Sequence, residues 1–195
     1  MFMPQEGDDM NKFMGANVKP LLKKCGKEVM IYPLAKVVNP HMVEIGDHSR
    51  LCDFTFIHPG SGKGYKIGRY TDMEQFSSLW GGGEIIIGDF VNIGPGVTFF
   101  SSKFDYRDGG FTSSVVPEQY LNIEYGSIIV GNHAFIGTNS TIMVGVHIGE
   151  GAVVGANSFV NKDLDAWGVY VGNPLRKIGE RPRDVSEKAK ILGLA

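Results

Sequence analysis

Between Val130 and Val160, six aliphatic residues recur at a strict spacing of six: Val130, Ile136, Ile142, Ile148, Val154 and Val160. All are β-branched, and four are followed directly by glycine. Four places after each of the first five stands a short side chain: Ala134, Ser140, Val146, Ala152 and Ser158. Leu164 takes the sixth such place, where the pattern ends. An α-helix repeats near 3.6 residues and a strand at 2, so neither alone produces a period of six. Short strands joined by tight turns do, stacked as a β-solenoid.

Upstream the same period returns in interrupted form. It appears weakly at Ile31, Val37 and Val43. It then firms up at Ile45, Leu51, Ile57, at Ile67, Met73, Leu79 and at Ile87, Ile93, Phe99. The hexads fall into threes, and every irregularity lies between threes: the run Gly60–Gly64, the stretch around Gly81-Gly82-Gly83, and a 31-residue step from Phe99 to Val130. A coil with three sides and one tolerant corner is the simplest account. Each aliphatic is then buried above and below its equivalent in the next coil, at about 25 cal/mol per Å2 of apolar area removed from water.

The chain divides accordingly into an N-terminal extension over 1–28, a solenoid over 29–171 with an inserted loop over 100–129, and a C-terminal turn and helix over 172–195. Pro20–Lys24 is expected to form a short helix stopped by Gly26, and Val169–Val171 a last strand. Asp184–Leu192 is expected to be helical, with Asp184 or Ser186 as N-cap, covering an otherwise open sheet end.

Composition narrows the function classes. A net charge of −2 gives no basic surface for nucleic acid or anionic membrane. No apolar run reaches the roughly 18 residues needed to span a bilayer. The acidic start, with no apolar stretch, does not read as a signal peptide. Cys25 and Cys52 read as two reduced thiols of a cytoplasmic protein rather than a disulfide framework.

The repeat [Ile/Val]-Gly-x-x-[small]-x resembles that of the hexapeptide-repeat acyltransferases, over about Ile31 to Arg181. The most specific stretch is Ile136-Gly137-Thr138-Asn139-Ser140 through Asn161-Lys162-Asp163-Leu164, followed by Gly172-Asn173-Pro174-Leu175-Arg176-Lys177. That last run is similar to the terminal signature of sugar acetyltransferases in this group. The resemblance implies an all-β fold: a left-handed parallel β-helix with a long loop insertion and a short C-terminal helix. It implies a homotrimer that holds acetyl-CoA as acyl donor in a groove between neighbouring β-helices, with no metal. The acceptor is a sugar, with a nucleotide-linked amino sugar or a surface-polysaccharide precursor favoured. Transfer to a sugar hydroxyl and a non-catalytic trimeric scaffold stay open. A γ-type carbonic anhydrase is disfavoured, because the close histidine pair its metal needs is missing.

Acyl transfer needs an acceptor held near the thioester carbon, a destination for its proton and a donor for the developing oxyanion. The insertion is the natural place for this, since long excursions from a rigid scaffold tend to carry function. It contains no histidine, so Asp105 is the candidate base there, with Tyr106 and Arg107 as candidate sugar or diphosphate contacts. His133, just after the insertion returns, is the second catalytic candidate; it is expected beside the root of the loop. His58 is a weaker one. On the coenzyme side, Gly137, Gly155 and Ala156 leave room for pantetheine, and Arg176 and Lys177 are candidate partners of the adenosine phosphates. The triple glycine Gly81-Gly82-Gly83 lacks the Lys-Ser/Thr tail of a phosphate loop and reads as a corner. An amine needs less help from a base than a hydroxyl does, which favours an amino sugar.

Overall fold

The computed structural model describes residues 10–107, 109–191 and 193. Its strands stack in three parallel sheets, one per side of the coil. On the first face Cys25, Ile45, Ile67, Ile87, Val130 and Ile148 stand in register. On the second the column is Ile31, Leu51, Met73, Ile93, Ile136, Val154 and Tyr170. On the third it is Val37, Ile57, Leu79, Phe99, Ile142 and Val160. The parallel β-helix read from the hexads is the observed fold, and the threes are its coils.

Two details of phasing differ. Val43 is not the third member of the first coil. That coil begins at Cys25, and Val43 pairs with Tyr65, two places ahead of Ile45. The cause is a turn of 3-10 helix at Pro40–Met42, which adds two residues at the corner. Leu164, in turn, continues the first column through a bridge to Ile148. The first strand, Lys24–Cys25, lies ahead of residue 29. The segment before it holds 3-10 turns at Met10–Phe13 and Gly15–Leu21 rather than a helix at Pro20–Lys24.

The columns form one continuous core in which Leu51, Ile57, Leu79, Ile93, Phe99 and Ile142 are fully buried. The short side chains line its corners, and most of their hydroxyls are hydrogen-bonded, the buried Ser77 Oγ being an exception. Ser49 Oγ donates to Gly68 O at 2.7 Å, Thr71 Oγ1 to Gly88 O at 2.8 Å and Ser140 Oγ to Gly155 O at 3.0 Å. A buried hydroxyl left unpaired there would be costly. The glycine after each first-face residue from Cys25 to Ile148 answers a close approach between coils: a Cβ at Gly68 would stand 2.4 Å from Gly88 O.

The three corners differ. Between the first and second faces the backbone is left-handed at Glu28, His48, Tyr70, Phe90, His133 and Trp167. Four of these rings form a ladder, His48 on Tyr70 at 4.7 Å, Tyr70 on Phe90 at 5.1 Å and Phe90 on His133 at 5.0 Å. Bulky residues seldom adopt this conformation, and stacking of this kind helps to hold them. Between the second and third faces Phe54 and Phe76 stack at 4.9 Å, both largely exposed.

Among the described residues only the corner between the third and first faces takes insertions: the Pro40–Met42 turn, 59–64, 81–84 and 101–127. The longest leaves as a two-stranded antiparallel ribbon, Ser102–Phe104 against Ile123–Tyr125. At the far end, Gly168–Val171 is covered by the antiparallel strand Arg176–Glu180. The helix Asp184–Ile191 follows, with Ala189 buried.

Candidate active site

The residue that follows each third-face aliphatic points outward at the edge of the insertion corner. From Ile57 onward these are, in chain order, His58, Trp80, Phe100, Met143 and Asn161, whereas Val38, after Val37, is buried. The first four line a cleft of about 1330 Å3 beneath the insertion. The insertion closes it from above with Phe104, Tyr106, Leu121, Ile123 and Tyr125. Asn161 opens a second, smaller pocket of about 210 Å3, with Lys162, Asn173, Pro174 and Leu175. Neighbouring strands are about 4.8 Å apart, so one row of side chains connects the two cavities along a single edge of the solenoid.

The corner above the cleft is braced by buried hydroxyls. Tyr65 Oη donates to Gly81 O at 2.6 Å and lies 3.1 Å from His58 O. Ser101 Oγ lies 3.0 Å from both Trp80 O and Gly83 O. Burial pushes the Tyr65 phenol well above its usual range, so it remains a donor. The glycines of this corner are packing glycines, as their lack of a phosphate-loop tail suggests. A Cβ on Gly82 would meet Tyr125 Cε1 at 2.7 Å, and one on Gly83 would meet Ser101 O at 2.4 Å.

Asp105 follows the outgoing strand of the ribbon. Its N–H donates to Asn122 O at 2.7 Å, and its Oδ1 accepts the Arg107 N–H at 3.0 Å. Asp105 thus stands at the start of the loop, but neither it nor Arg107 is among the residues that line the cleft; Tyr106, between them, lines it and is 71% exposed. Arg107 is exposed as well.

His133 is not beside the loop. After the insertion the chain runs through Ile128–Val130 before it turns, and that strand carries His133 to the corner between the first and second faces. There its ring lies on Phe90, its N–H donates to Asp89 O at 2.9 Å and its carbonyl accepts from Arg181. The side chain is buried with Nδ1 unpartnered, and desolvation lowers its pKa. The histidine in the cleft is His58. Its ring meets Trp80 edge-on at 5.9 Å and Phe56 at 6.1 Å, and burial lowers its pKa too. It stays neutral, able to donate one hydrogen bond and accept another.

The coenzyme-side candidates do not come together in one chain. Gly137, Gly155 and Ala156 stand at the corner between the second and third faces, where the glycines answer coil packing. A Cβ on Gly137 would lie 2.6 Å from Ala156 N, and one on Gly155 would lie 2.6 Å from Val171 Cγ1. Lys177 lies over the second face, held by Glu180 at 2.7 Å and Asp165 at 3.3 Å. Its ammonium is stabilised first by the Glu180 hydrogen bond, and its pKa is raised. Arg176 is exposed next to Leu175, which lines the small pocket. The cation inside that pocket is Lys162, which sequence reasoning did not single out; its signal is its place directly after the Asn161 member of the outward row.

Comparison with known proteins identifies the family of the scaffold. Residues 127–162 match the family described as hexapeptide repeat of succinyl-transferase. A dTDP-4-amino-4,6-dideoxy-D-glucose acyltransferase of Escherichia coli is 34% identical over 170 residues, which cover 87% of this chain and 88% of that protein. The crystal structure of AntD, an N-acyltransferase from Bacillus cereus in complex with dTDP and 3-hydroxybutyryl-CoA, superposes with a TM-score of 0.81. It is 34% identical, over 89% of this chain and 91% of AntD. A hexapeptide-repeat acetyltransferase from Vibrio cholerae has a TM-score of 0.58 at 26% identity, over 91% and 84% of the two chains. A β-solenoid of three-sided coils, one elaborated corner and similarity to such enzymes over most of its length together place the chain among the hexapeptide-repeat acyltransferases, with the left-handed β-helix of that family.

Proposed function

We propose that this acyltransferase moves the acyl group of acyl-CoA onto the amino group of a nucleotide-linked amino sugar, forming an amide. The observation that carries this reading is the outward row His58–Trp80–Phe100–Met143–Asn161, which joins the cleft beneath the insertion to the pocket at Lys162 and Asn173–Leu175. Such an edge has room for an extended thioester at one end and a bulky acceptor at the other. The E. coli and B. cereus relatives, named for an amino-sugar nucleotide and for N-acyl transfer, support the acceptor class.

In this account the adenosine end of the coenzyme lies by Lys162 and Arg176, and the thioester lies near Met143 and Phe100. The amine, delivered neutral, attacks the thioester carbon, and the thiolate of coenzyme A leaves. Asp105 takes the proton released from nitrogen, and Tyr106 and Arg107 orient the sugar. A neutral amine already carries its lone pair, so a loop carboxylate suffices where a hydroxyl would require a stronger base. His133 keeps the corner ladder in place and takes no part in proton transfer.

A homotrimer accompanies this reading. The stacked, exposed Phe54 and Phe76 offer an apolar edge that a second copy would cover. The free thiols Cys25 and Cys52 agree with a cytoplasmic setting. The division into extension, solenoid and C-terminal cap belongs to the same proposal. Thiol release from acetyl-CoA, measured with dTDP- and UDP-linked amino sugars, is the test. Release that depends on the amino sugar is expected; no release with any of them, from protein that binds coenzyme A, would overturn the acceptor.

A further inference from the structure

The cleft extends further from the coenzyme pocket than a single sugar ring can account for. Met143 and Phe100 belong to adjacent coils, and Trp80 and His58 stand one and two coils beyond Phe100. At about 4.8 Å per coil, His58 is roughly 10 Å past the level of Phe100. That distal end has a chemistry of its own. Trp80 and Phe100 are register partners, and each remains more than a third exposed, at 39% and 38%. Beside them is the neutral imidazole of His58, held against the indole edge.

Above lies the glycine-rich rim of the corner. Gly82 and Gly83 line the cleft, and their N–H groups meet no acceptor among the described residues. Lys63 lines the same rim, exposed and without an ion-pair partner among the described residues. Lys103, the other lysine of the cleft, is held by Glu124 at 2.9 Å. Glu84 is the carboxylate on the lining.

We infer that this distal end, built from His58, Trp80, Lys63 and the Gly82–Gly83 amides, binds the nucleoside diphosphate of the acceptor. This rests on the acceptor reading above and assigns the part of the substrate that does not react. The pyrimidine lies on the Trp80 ring, as bases do on aromatic platforms. His58 hydrogen-bonds to the nucleoside. Lys63 and the free amides meet the diphosphate oxygens, because successive backbone N–H groups form an anion-binding concavity. The sugar then points down the row toward Phe100 and Asp105, its amine near the thioester.

The test is calorimetric binding of dTDP and of coenzyme A, measured separately on the full chain. Lys63→Gln alters an exposed loop residue and should not disturb the fold. It is expected to weaken dTDP about tenfold and leave coenzyme A within about twofold. Trp80→Ala is expected to weaken dTDP by about tenfold or more, and Trp80→Phe to restore most of that loss. Wild-type protein that binds dTDP while Lys63→Gln and Trp80→Phe both bind it unchanged, and Trp80→Ala, if folded, does so too, would overturn this placement and leave the acceptor reading intact. Wild-type protein that binds coenzyme A but neither dTDP nor UDP would overturn the acceptor reading itself.

Discussion

The Tyr125 ring lies against the backbone of Gly82, so close that a methyl group at Gly82 would stand 2.7 Å from Tyr125 Cε1. One residue belongs to the solenoid corner and the other to the returning strand of the insertion. This contact sets the height of the insertion above the cleft. Gly82→Ala is therefore expected to displace the ribbon while leaving the core columns untouched. The acyl-transfer rate should fall by up to roughly a hundredfold, because a shift of about 1 Å in a positioning element can cost that much. Thermal unfolding should move little. Initial rates and a melting curve on the same preparation check both parts.

Asp105 is fixed at the loop root by its own N–H and by the Arg107 amide. If it accepts the proton, Asp105→Asn keeps the shape and removes the base. A fall in kcat of about 10²- to 10⁴-fold is expected, with coenzyme A affinity unchanged. A change of less than about threefold in kcat would reduce Asp105 to a turn residue and argue for an amine that loses its proton to water.

His133 makes a prediction about pH and stability. Burial lowers its pKa in the folded state, so the unfolded chain takes up a proton at higher pH than the folded one does. The stability this represents is present above the unfolded value, near 6.5, and is lost as pH falls through the folded value. The melting temperature should drop as pH is lowered from about 7 into that range, and His133→Asn should flatten the slope. His58 shares the direction of shift; a slope unchanged in His133→Asn but gone in His58→Asn would assign the effect to the cleft instead.

Phe99 is the largest of the fully buried side chains and belongs to the third-face column, directly before the outward Phe100. Phe99→Ala is expected to cost about 3–5 kcal/mol. Denaturant unfolding measures it. Because the cavity opens beneath the cleft wall, activity should fall as well.

The sequence discloses the scaffold because each aliphatic meets its own kind one coil away. Ile136 between Ile93 and Val154, for example, is fixed by a contact that repeats with the period. Val43 shows the limit. A two-residue excess in the Pro40–Met42 turn shifts the phase, and periodicity alone cannot say on which side of a turn the extra residues fall. The cleft was half legible. Its lower wall is the place after the third-face residues Ile57, Leu79, Phe99 and Ile142, which a period of six predicts once the faces are known. Its roof depends on how the 101–127 insertion folds back, and no repeat governs that. His133 misled because nearness to the insertion in sequence is not nearness in space: one short strand carries it to another corner. The partners of Lys177 were not legible either: a base after Gly172-Asn173-Pro174 is free in sequence but paired with Glu180 and Asp165 once the antiparallel strand forms.

The most direct test of the central claim is the product itself. The protein is incubated with acetyl-CoA and a dTDP-linked 4-amino-4,6-dideoxyhexose, and the nucleotide sugar is isolated and treated briefly with alkaline hydroxylamine, which cleaves oxygen esters but not amides. The account predicts a nucleotide sugar heavier by one acetyl group that survives the treatment, as an amide does. An acetyl group released by hydroxylamine, or acetylation of the matching 4-hydroxy sugar at an equal rate, would contradict it.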